Sequence, residues 1–418
     1  MTTTKPDESK VPTCPHFDPM APSYQESPYP LFAELRRDAP VSYSPQYDFW
    51  VVTRYEDVSA VLKQPEIFSS VGSLQSNAAL PPAVTAVLAT GLGAATIIVE
   101  SDPPDHTRMR SVFNKAFTPQ RIARLEPQIR ALTDALIDAF IADRKADLTT
   151  QFSSQLPGLV ICDLIGVPRE DFPQIKRWSD DWMVLLSGNA PEERLVACAK
   201  SFVACQRYFL EQLLLRQKEP REDLLTVMLP ADLGGTAAMT AAEAAYNALD
   251  VVVAGFETTT HTLDNGLALL FAHPEQLEAL RQDPTRIPDA IEEILRIDTP
   301  VTGLFRITKS ATELGGATLP AGARLFLLFS SANHDAAQFE DAARFDIKRE
   351  NARDHLSFSR GIHFCIGSNL ARLELRIALE RLFARLPNLR PAADVAPQRM
   401  THFWLRGYDS LPITWDAG

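Results

Sequence analysis

Apolar residues recur at helical spacing over 119–144, 191–217, 241–272, 274–281, 286–297 and 368–385, with short breaks such as GVP, DLGG and HPEQ between them. Each stretch is read as a helix with a buried face. Nearer the start the period changes. Val41 to Thr53 reads as a strand, a Ser-Pro turn and a second strand, FWVVT. Thr53 and Glu56 then have capping-box spacing ahead of a short helix, YEDVSAVLKQ. Segments near 302–329 and 401–415 read as further strands, and six prolines within 11–30 predict an extended arm. With no internal repeat or low-complexity linker, the pattern predicts a mainly α fold with a minor β portion. Residues 1–30 form the N-terminal arm and 31–418 a single domain.

One stretch departs from this pattern. Ile67 to Val99 contains no Asp, Glu, Lys, Arg or His, and Gly72, Pro81-Pro82, Gly91 and Gly93 interrupt it. A membrane span needs roughly 20 mainly apolar residues without such breaks. Two readings stay open, a lid or binding loop and a pair of short buried helices.

Composition narrows the function classes. Forty-one basic against fifty-three acidic residues give a net charge of −12, which argues against nucleic acid as a partner. Five scattered cysteines, Cys14, Cys162, Cys198, Cys205 and Cys365, do not make a disulfide framework and point to a reducing, cytoplasmic compartment. The opening MTTTKPDESK has no apolar core of a secretory signal. Although about 150 residues per domain would suggest three domains for 418 residues, the pattern favours one.

Cys198 and Cys205 are seven apart on one predicted helix and read as small core hydrophobes. Cys365 differs. It lies in FSRGIHFCIG just before the helix SNLARLELRIALERLF, where unpaired N–H groups and the helix dipole lower a thiol's pKa. Such a thiolate suits metal ligation or nucleophilic attack, and Gly361 and Gly367 permit a tight loop around it. On these residues alone a buried structural thiol is an equal reading. His363, two residues away, spells no cysteine-hydrolase arrangement.

The spacing of Phe358, Gly361, His363, Cys365 and Gly367 matches Phe-x-x-Gly-x-(His/Arg)-x-Cys-x-Gly, and on it the chain resembles the cytochrome P-450 superfamily. The resemblance implies a single-domain P-450 fold enclosing haem b (iron protoporphyrin IX). Cys365 would be the thiolate ligand of the iron, a ligand that pushes electron density toward the metal. His363 would bond a haem propionate and Phe358 would pack near the sulfur.

Three further stretches extend the resemblance over essentially the whole chain. In VVVAGFETTTHT, Ala254 and Thr258 share a helix face while Glu257 points about 100° away. Taken alone this is an ordinary buried helix. In the family, Ala-Gly-x-(Asp/Glu)-Thr is the oxygen-activating motif, which implies Thr258 and Glu257 as the catalytic pair, with Ala254 and Gly255 against the cofactor. In AIEEILRID, Glu293 and Arg296 have ion-pair spacing, and the family completes such a pair with an arginine that Arg344 matches here. In DPPDHTRMR, Asp105 is a candidate N-cap, and His106 and Arg110 lie one turn apart. The family places that pair, with an arginine corresponding to Arg306, on the haem propionates. His334 replaces an arginine often seen in SANHD.

Glu243, Asp250, Glu257 and Asp264 recur every seven residues and form one stripe. Glu243 and Asp264 are read as solvated or ion-paired. For Asp250 and Glu257 buried cation partners are expected among Arg169, Lys176, Arg177 and Arg207.

The resemblance implies a monooxygenase that inserts one oxygen atom from O2 into an organic substrate by hydroxylation or epoxidation, and the uncharged stretch points to a small apolar one. Electrons would come from a ferredoxin or flavodoxin with its reductase. GLGAAT at 91–96 lacks the third glycine of a dinucleotide loop, so NAD(P)H is not expected to bind directly. Arg110, Lys115, Arg360, Arg372 and Arg376 are expected to form a basic docking patch despite the net negative charge. Ala94 to Ile98, Val253, Ala254, Val301, Leu304, Phe403 and Trp404 are expected to line the substrate cavity. The alternatives are an H2O2-dependent peroxygenase on the same haem and a non-catalytic haem sensor. Glu257 with Thr258 argues against both.

Overall fold

Phe49–Val52, the FWVV run, is buried on both faces in the computed structural model, which describes residues 11–74, 79–229 and 239–417. Trp50 and Val52 pack into one apolar cluster with Tyr43, Leu325 and Leu327. Phe49 and Val51 pack into another with Phe17, Phe32, Phe305 and Phe326. A strand buried on both sides reads as a continuous apolar run instead of an alternating one. The five-stranded sheet runs Val41–Ser44, Phe49–Val52, Arg324–Leu327, Leu304–Thr308, Phe68–Ser69. Its pairs are antiparallel except Phe49–Val52 with Arg324–Leu327, which is parallel.

This sheet belongs to the first of two units, Met1–Ser73, Ala123–Leu156 and Thr258–Gly418. Helices Tyr55–Lys63, Glu126–Asp138, Ile287–Ile297 and Ser368–Arg385 lie in the same unit. The second unit, Leu74–Ile122 and Pro157–Glu257, is helical. Its helices Phe172–Ser187 and Glu192–Lys218 pack through stacked Trp182 and Phe202, with ring centroids 4.2 Å apart. Arg216 and Asp223 form a buried pair at 2.9 Å there, and Asp223 also accepts from Thr226 N at 2.8 Å to cap Leu224–Met228. Among the described residues no helix is long and apolar enough to cross a membrane.

The helices expected at 191–217, 241–272, 274–281, 286–297 and 368–385 are found as Glu192–Lys218, Ala241–Ala272, Pro274–Gln282, Ile287–Ile297 and Ser368–Arg385. Others differ from expectation. The 119–144 stretch splits into Pro119–Ala123 and Glu126–Asp138, the latter with proline in its first turn. The arm is not wholly extended, because Pro22–Glu26 forms a helical turn with proline in the first turn, where its missing N–H breaks no bond. Thr53 does not cap Tyr55–Lys63; its hydroxyl donates to Pro40 O at 3.0 Å, and the N-cap is Arg54. Nor is Asp105 an N-cap. It is the first residue of Asp105–Ala116 and pairs with Arg108 at 3.0 Å. A capping box does form where none was expected. Thr240 Oγ1 accepts from Glu243 N at 3.1 Å, and Glu243 Oε2 accepts from Thr240 N at 2.7 Å.

The uncharged stretch holds one described helix, Pro82–Leu88, and is otherwise irregular over 79–97, while 75–78 lie outside the described residues. Within the second unit, polar side chains of two helices hold its backbone. Gln206 accepts from Leu92 N at 3.1 Å, the Tyr246 hydroxyl donates to Gly93 O at 2.5 Å, and Asn247 accepts from Ile98 N at 2.9 Å.

Candidate active site

Cys365 is the one cysteine of the five that is not buried. Burial pushes the Cys14 thiol up to about 11 and that of Cys162 up to about 12, and it also raises Cys198 and Cys205. Those four are packing thiols. Cys365 follows a tight turn, Gly361–His363, and its N–H donates to Phe358 O at 2.9 Å. This bond closes the eight-residue loop from Phe358 to Cys365, inside the run that the sequence spacing singles out. Gly361 sits at φ +69°, and a Cβ there would lie 2.2 Å from Leu62 O. Only glycine meets both demands. Gly361→Ala is expected to cost about 3 kcal/mol or more, the sum of left-handed strain and a clash with main chain. Urea unfolding measures this, and a loss under about 1 kcal/mol would show that Leu62 does not hold the turn.

The remaining loop residues and Arg306 fall in the same unit. The His363 ring Nε2 lies 2.9 Å from Ser70 Oγ. Arg306 is buried on Leu304–Thr308 and donates to Phe305 O at 2.7 Å. Gly367 leaves room beside the sulfur, since a Cβ there would stand 3.9 Å from Sγ. His106 and Arg110 belong to the second unit, one turn apart on Asp105–Ala116, with His106 buried.

On the long helix Ala241–Ala272, Val252, Phe256, Thr259 and Thr260 are buried, whereas Asp250, Val253, Ala254, Glu257 and Thr258 are accessible. That accessible set repeats at i, i+3, i+4, i+7, i+8, so it is one open face. Ala254, the most open of them, has no side chain beyond its Cβ to obstruct an approaching group. Gly255 serves a different end from cofactor approach alone. A Cβ on it would meet Ile161 Cδ1 at 2.8 Å, so the glycine lets the neighbouring helix Gln155–Ile165 come close. Thr262 Oγ1 donates to Thr258 O at 2.7 Å, giving that carbonyl a side-chain donor.

The cation partners expected for Asp250 are absent. Arg169 pairs with Asp163 at 2.7 Å, Lys176 with Asp180 at 2.9 Å, Arg177 bonds Gln174 at 2.6 Å and Arg207 bonds Thr90 O at 3.3 Å. Asp250 is only partly accessible, and burial of its carboxyl, with Glu100 adding repulsion, pushes that group up to about 7. Glu257 lies near Asp180, whose carboxyl is raised by burial and further by Glu257. Glu243 is ion-paired as expected, with Arg108 at 2.6 Å. Asp264 is not solvated. It is buried, accepts from Thr149 Oγ1 at 2.9 Å, and burial pushes its carboxyl up to about 7.

Glu293 and Arg296 form a fully buried bidentate pair at 2.7 and 2.8 Å. The third partner is Arg349, not Arg344. Arg349 Nε donates to Glu293 Oε1 at 3.1 Å, while the Arg344 side chain is 66% exposed and only its carbonyl takes part, accepting from Arg296 Nη2 at 3.0 Å. Both arginines lie in one irregular stretch, and a five-residue offset there leaves no periodic signal.

Two residues that sequence reasoning did not place here are Glu292 and His355. Glu292 takes Arg372 at 2.6 and 2.8 Å and His355 Nε2 at 3.2 Å. Burial alone would raise the Glu292 carboxyl, but these bonds outweigh it and hold the group down, at about 2. The expected basic patch is correspondingly muted. Arg372 is matched by Glu292, Arg376 by Glu126 at 2.8 Å and Glu380 at 3.0 Å, and Arg360 donates to Tyr55 OH at 2.6 Å.

The residues fit a haem. Among the described residues no group of three or more His, Cys, Asp or Glu side chains could enclose a metal ion. Cys365 is an accessible soft sulfur on a loop closed by its own N–H, with Gly367 leaving room beside it, which suits a metal that brings its other ligands with it, as haem iron does.

The chain is similar to known proteins of one family. The family model described as Cytochrome P450 matches residues 194–402. Cytochrome P450 107B1 of Saccharopolyspora erythraea is 38% identical over 88% of this chain and 89% of its own length. The steroid C26-monooxygenase of Mycobacterium tuberculosis is 35% identical over 86% of this chain and 92% of its own. The solved structure of cytochrome P450 CREJ with (4-ethylphenyl) dihydrogen phosphate superposes at a TM-score of 0.90, with 31% identity over 96% of this chain and 100% of that one. The chain belongs to the cytochrome P450 family and is a haem-thiolate monooxygenase, an oxidoreductase acting on organic substrates with O2 and redox partners. The mainly α fold with a minor β portion is borne out.

Proposed function

We propose that this chain uses haem b, with Cys365 as the residue whose thiolate would hold the iron and Thr258 and Glu257 as its catalytic pair. When bound, the haem supplies the oxygen-insertion chemistry, and the protein orients substrate, delivers protons and excludes water. The observation that carries the reading is the accessible cysteine in a loop closed on Phe358, against four thiols that burial keeps protonated. His106, Arg110, Arg306 and His363 would hold the two propionates, as charge-assisted donors suit carboxylates. Ala254, Gly255, Phe358 and Gly367 would border the macrocycle.

Thr258 stands on the open face of its helix with Glu257 beside it, which supports a hydroxyl that passes a proton inward from a carboxylate in contact with water. Thr258→Ala is expected to leave NAD(P)H consumption running with competent redox proteins while product per NAD(P)H falls about tenfold or more, the lower end of what a placed proton donor contributes. Unchanged coupling would reject the role of Thr258.

The substrate would be a small apolar molecule, a reading supported by Val253 and Ala254 on the open helix face and by the uncharged stretch. The relative named for a steroid fits an apolar substrate. Each buried CH2 would contribute ~0.8 kcal/mol to binding. A ferredoxin or flavodoxin with its reductase would deliver electrons in the cytoplasm. Within the first unit, a groove of about 530 Å³ lined by Ile291, Leu373, Arg353, Arg372 and Arg376 among others begins four residues from Cys365 and offers such a partner a landing of mixed apolar and cationic side chains.

A further inference from the structure

The charges around Glu292 converge on one aromatic ring. Arg372 binds Glu292 through both Nε and Nη2, and its guanidinium carbon lies 4.5 Å from the centroid of Phe358. The His355 ring stands 5.6 Å from Phe358 on a tilted plane. His355 Nδ1 accepts from Ser357 N at 3.1 Å, which leaves Nε2 to carry the proton and donate to Glu292. Residues 355–358 are strapped further by Ser357 Oγ, which donates to Leu295 O at 2.7 Å and accepts from Asn333 Nδ2 at 2.9 Å. Phe358 O in turn takes the Cys365 N–H. A carboxylate, an imidazole and a guanidinium from three separate segments thus fix one ring, and that residue's carbonyl fixes the cysteine.

We propose that Glu292, His355 and Arg372 are positioning residues for the thiolate ligand: they clamp Phe358, and the Arg372 cation sets the electrostatic environment of Cys365 through that ring. The inference rests on Cys365 being the haem ligand. Guanidinium stacks on an aromatic face and grips a carboxylate with two parallel bonds, so one residue does both tasks. Adding an electron to a thiolate-bound haem adds negative charge, which a fixed cation nearby favours. Glu292 without Arg372 would oppose it. Arg372 also borders the groove and is 31% exposed, so a shorter or uncharged side chain there admits water instead of opening a sealed void.

The test is the ferric/ferrous midpoint potential of the haem-loaded protein. Arg372→Gln is expected to shift the one-electron reduction equilibrium toward ferric about tenfold, or about 59 mV. Arg372→Lys, which keeps the charge but neither the two parallel bonds nor the stacking, should shift it less, by about threefold. His355→Phe keeps a ring beside Phe358 but removes a donor from Glu292, and a smaller shift in the same direction, about threefold, is expected. Unchanged potentials in Arg372→Gln and His355→Phe would overturn the proposal, as would equal shifts in Arg372→Gln and Arg372→Lys. If Arg372→Gln does not load haem, His355→Phe decides: a shift supports the clamp and its absence refutes it. The ligand assignment is read separately from the CO spectrum of Cys365→Ala, so its failure is distinguishable from failure of the clamp.

Discussion

Cys365→Ala is expected to abolish the thiolate-type spectrum of the reduced CO complex and, with it, all substrate oxidation. No other thiol can take over. Cys14, Cys162, Cys198 and Cys205 are buried, and burial raises the pKa of each, which disfavours the thiolate that a metal needs. The loop itself should survive, because its closure runs through main chain, from Cys365 N to Phe358 O, and alanine keeps that donor. Cys365→Ser separates size from chemistry: it fills nearly the same space with an oxygen that is not a soft ligand. Both variants should fold with near-parental stability and both should lack the thiolate band. A normal thiolate-type CO spectrum in Cys365→Ala would show that another group holds the iron.

How much of this site could be read beforehand depended on whether its geometry is local. The cysteine loop and the 251–262 motif are runs in which each residue's place follows from its neighbours by helix or turn geometry. They were therefore legible as spacing. The accessible stripe at Asp250, Val253, Ala254, Glu257 and Thr258 follows the 3.6-residue period, as the shared face of Ala254 and Thr258 already implied. Partners contributed from far along the chain had no such signal. Arg349 lies 56 residues from Glu293 and His355 lies 63 from Glu292, and in each case the pairing depends on how an irregular segment is laid against a helix. Charge alone misled for Asp250 and Asp264. A cation partner is expected for Asp250 and a solvated or ion-paired place for Asp264, whereas burial raises both carboxyls to about 7.

The helices show the same division. Long periodic runs such as Ala241–Ala272 were legible to the residue, because an apolar face of that length has few other solutions. Gln155–Ile165 and Phe172–Ser187 were not. The first is apolar nearly all round, so it carries no amphipathic contrast, and Gly158 and Pro157 lie inside it. Thr53 illustrates competition at a cap. Its hydroxyl had a carbonyl, Pro40 O, within reach across the hairpin and bonded that instead of the helix start.

Glu293→Gln is expected to destabilise the protein by ~3–5 kcal/mol, enough to prevent accumulation of a folded chain if the parent is marginal. The carboxylate is fully buried and accepts from four donors: Arg296 Nε and Nη2, Arg349 Nε and Asp346 N, at 2.7, 2.8, 3.1 and 3.0 Å. Glutamine keeps the shape but turns an NH2 toward these N–H groups and leaves the Arg296 charge without its counterion. Isolated buried ion pairs are often replaceable by two apolar residues at little cost. That escape is closed here. Arg296 Nη1 donates to Asn333 O and Ala342 O, each at 2.8 Å, and Nη2 to Arg344 O. A Glu293→Met, Arg296→Met double variant would orphan the Asn333 and Ala342 carbonyls and the Asp346 N–H in a dry interior, and would leave the Arg349 cation without its carboxylate. The double variant should therefore be no more stable than Glu293→Gln, as measured by urea unfolding of the haem-free and haem-loaded proteins. A double variant that recovers most of the lost stability would show that the pair is only a pair. The measured loss would then belong to an uncompensated charge and not to the pinning of the irregular 333–349 segment onto helix Ile287–Ile297.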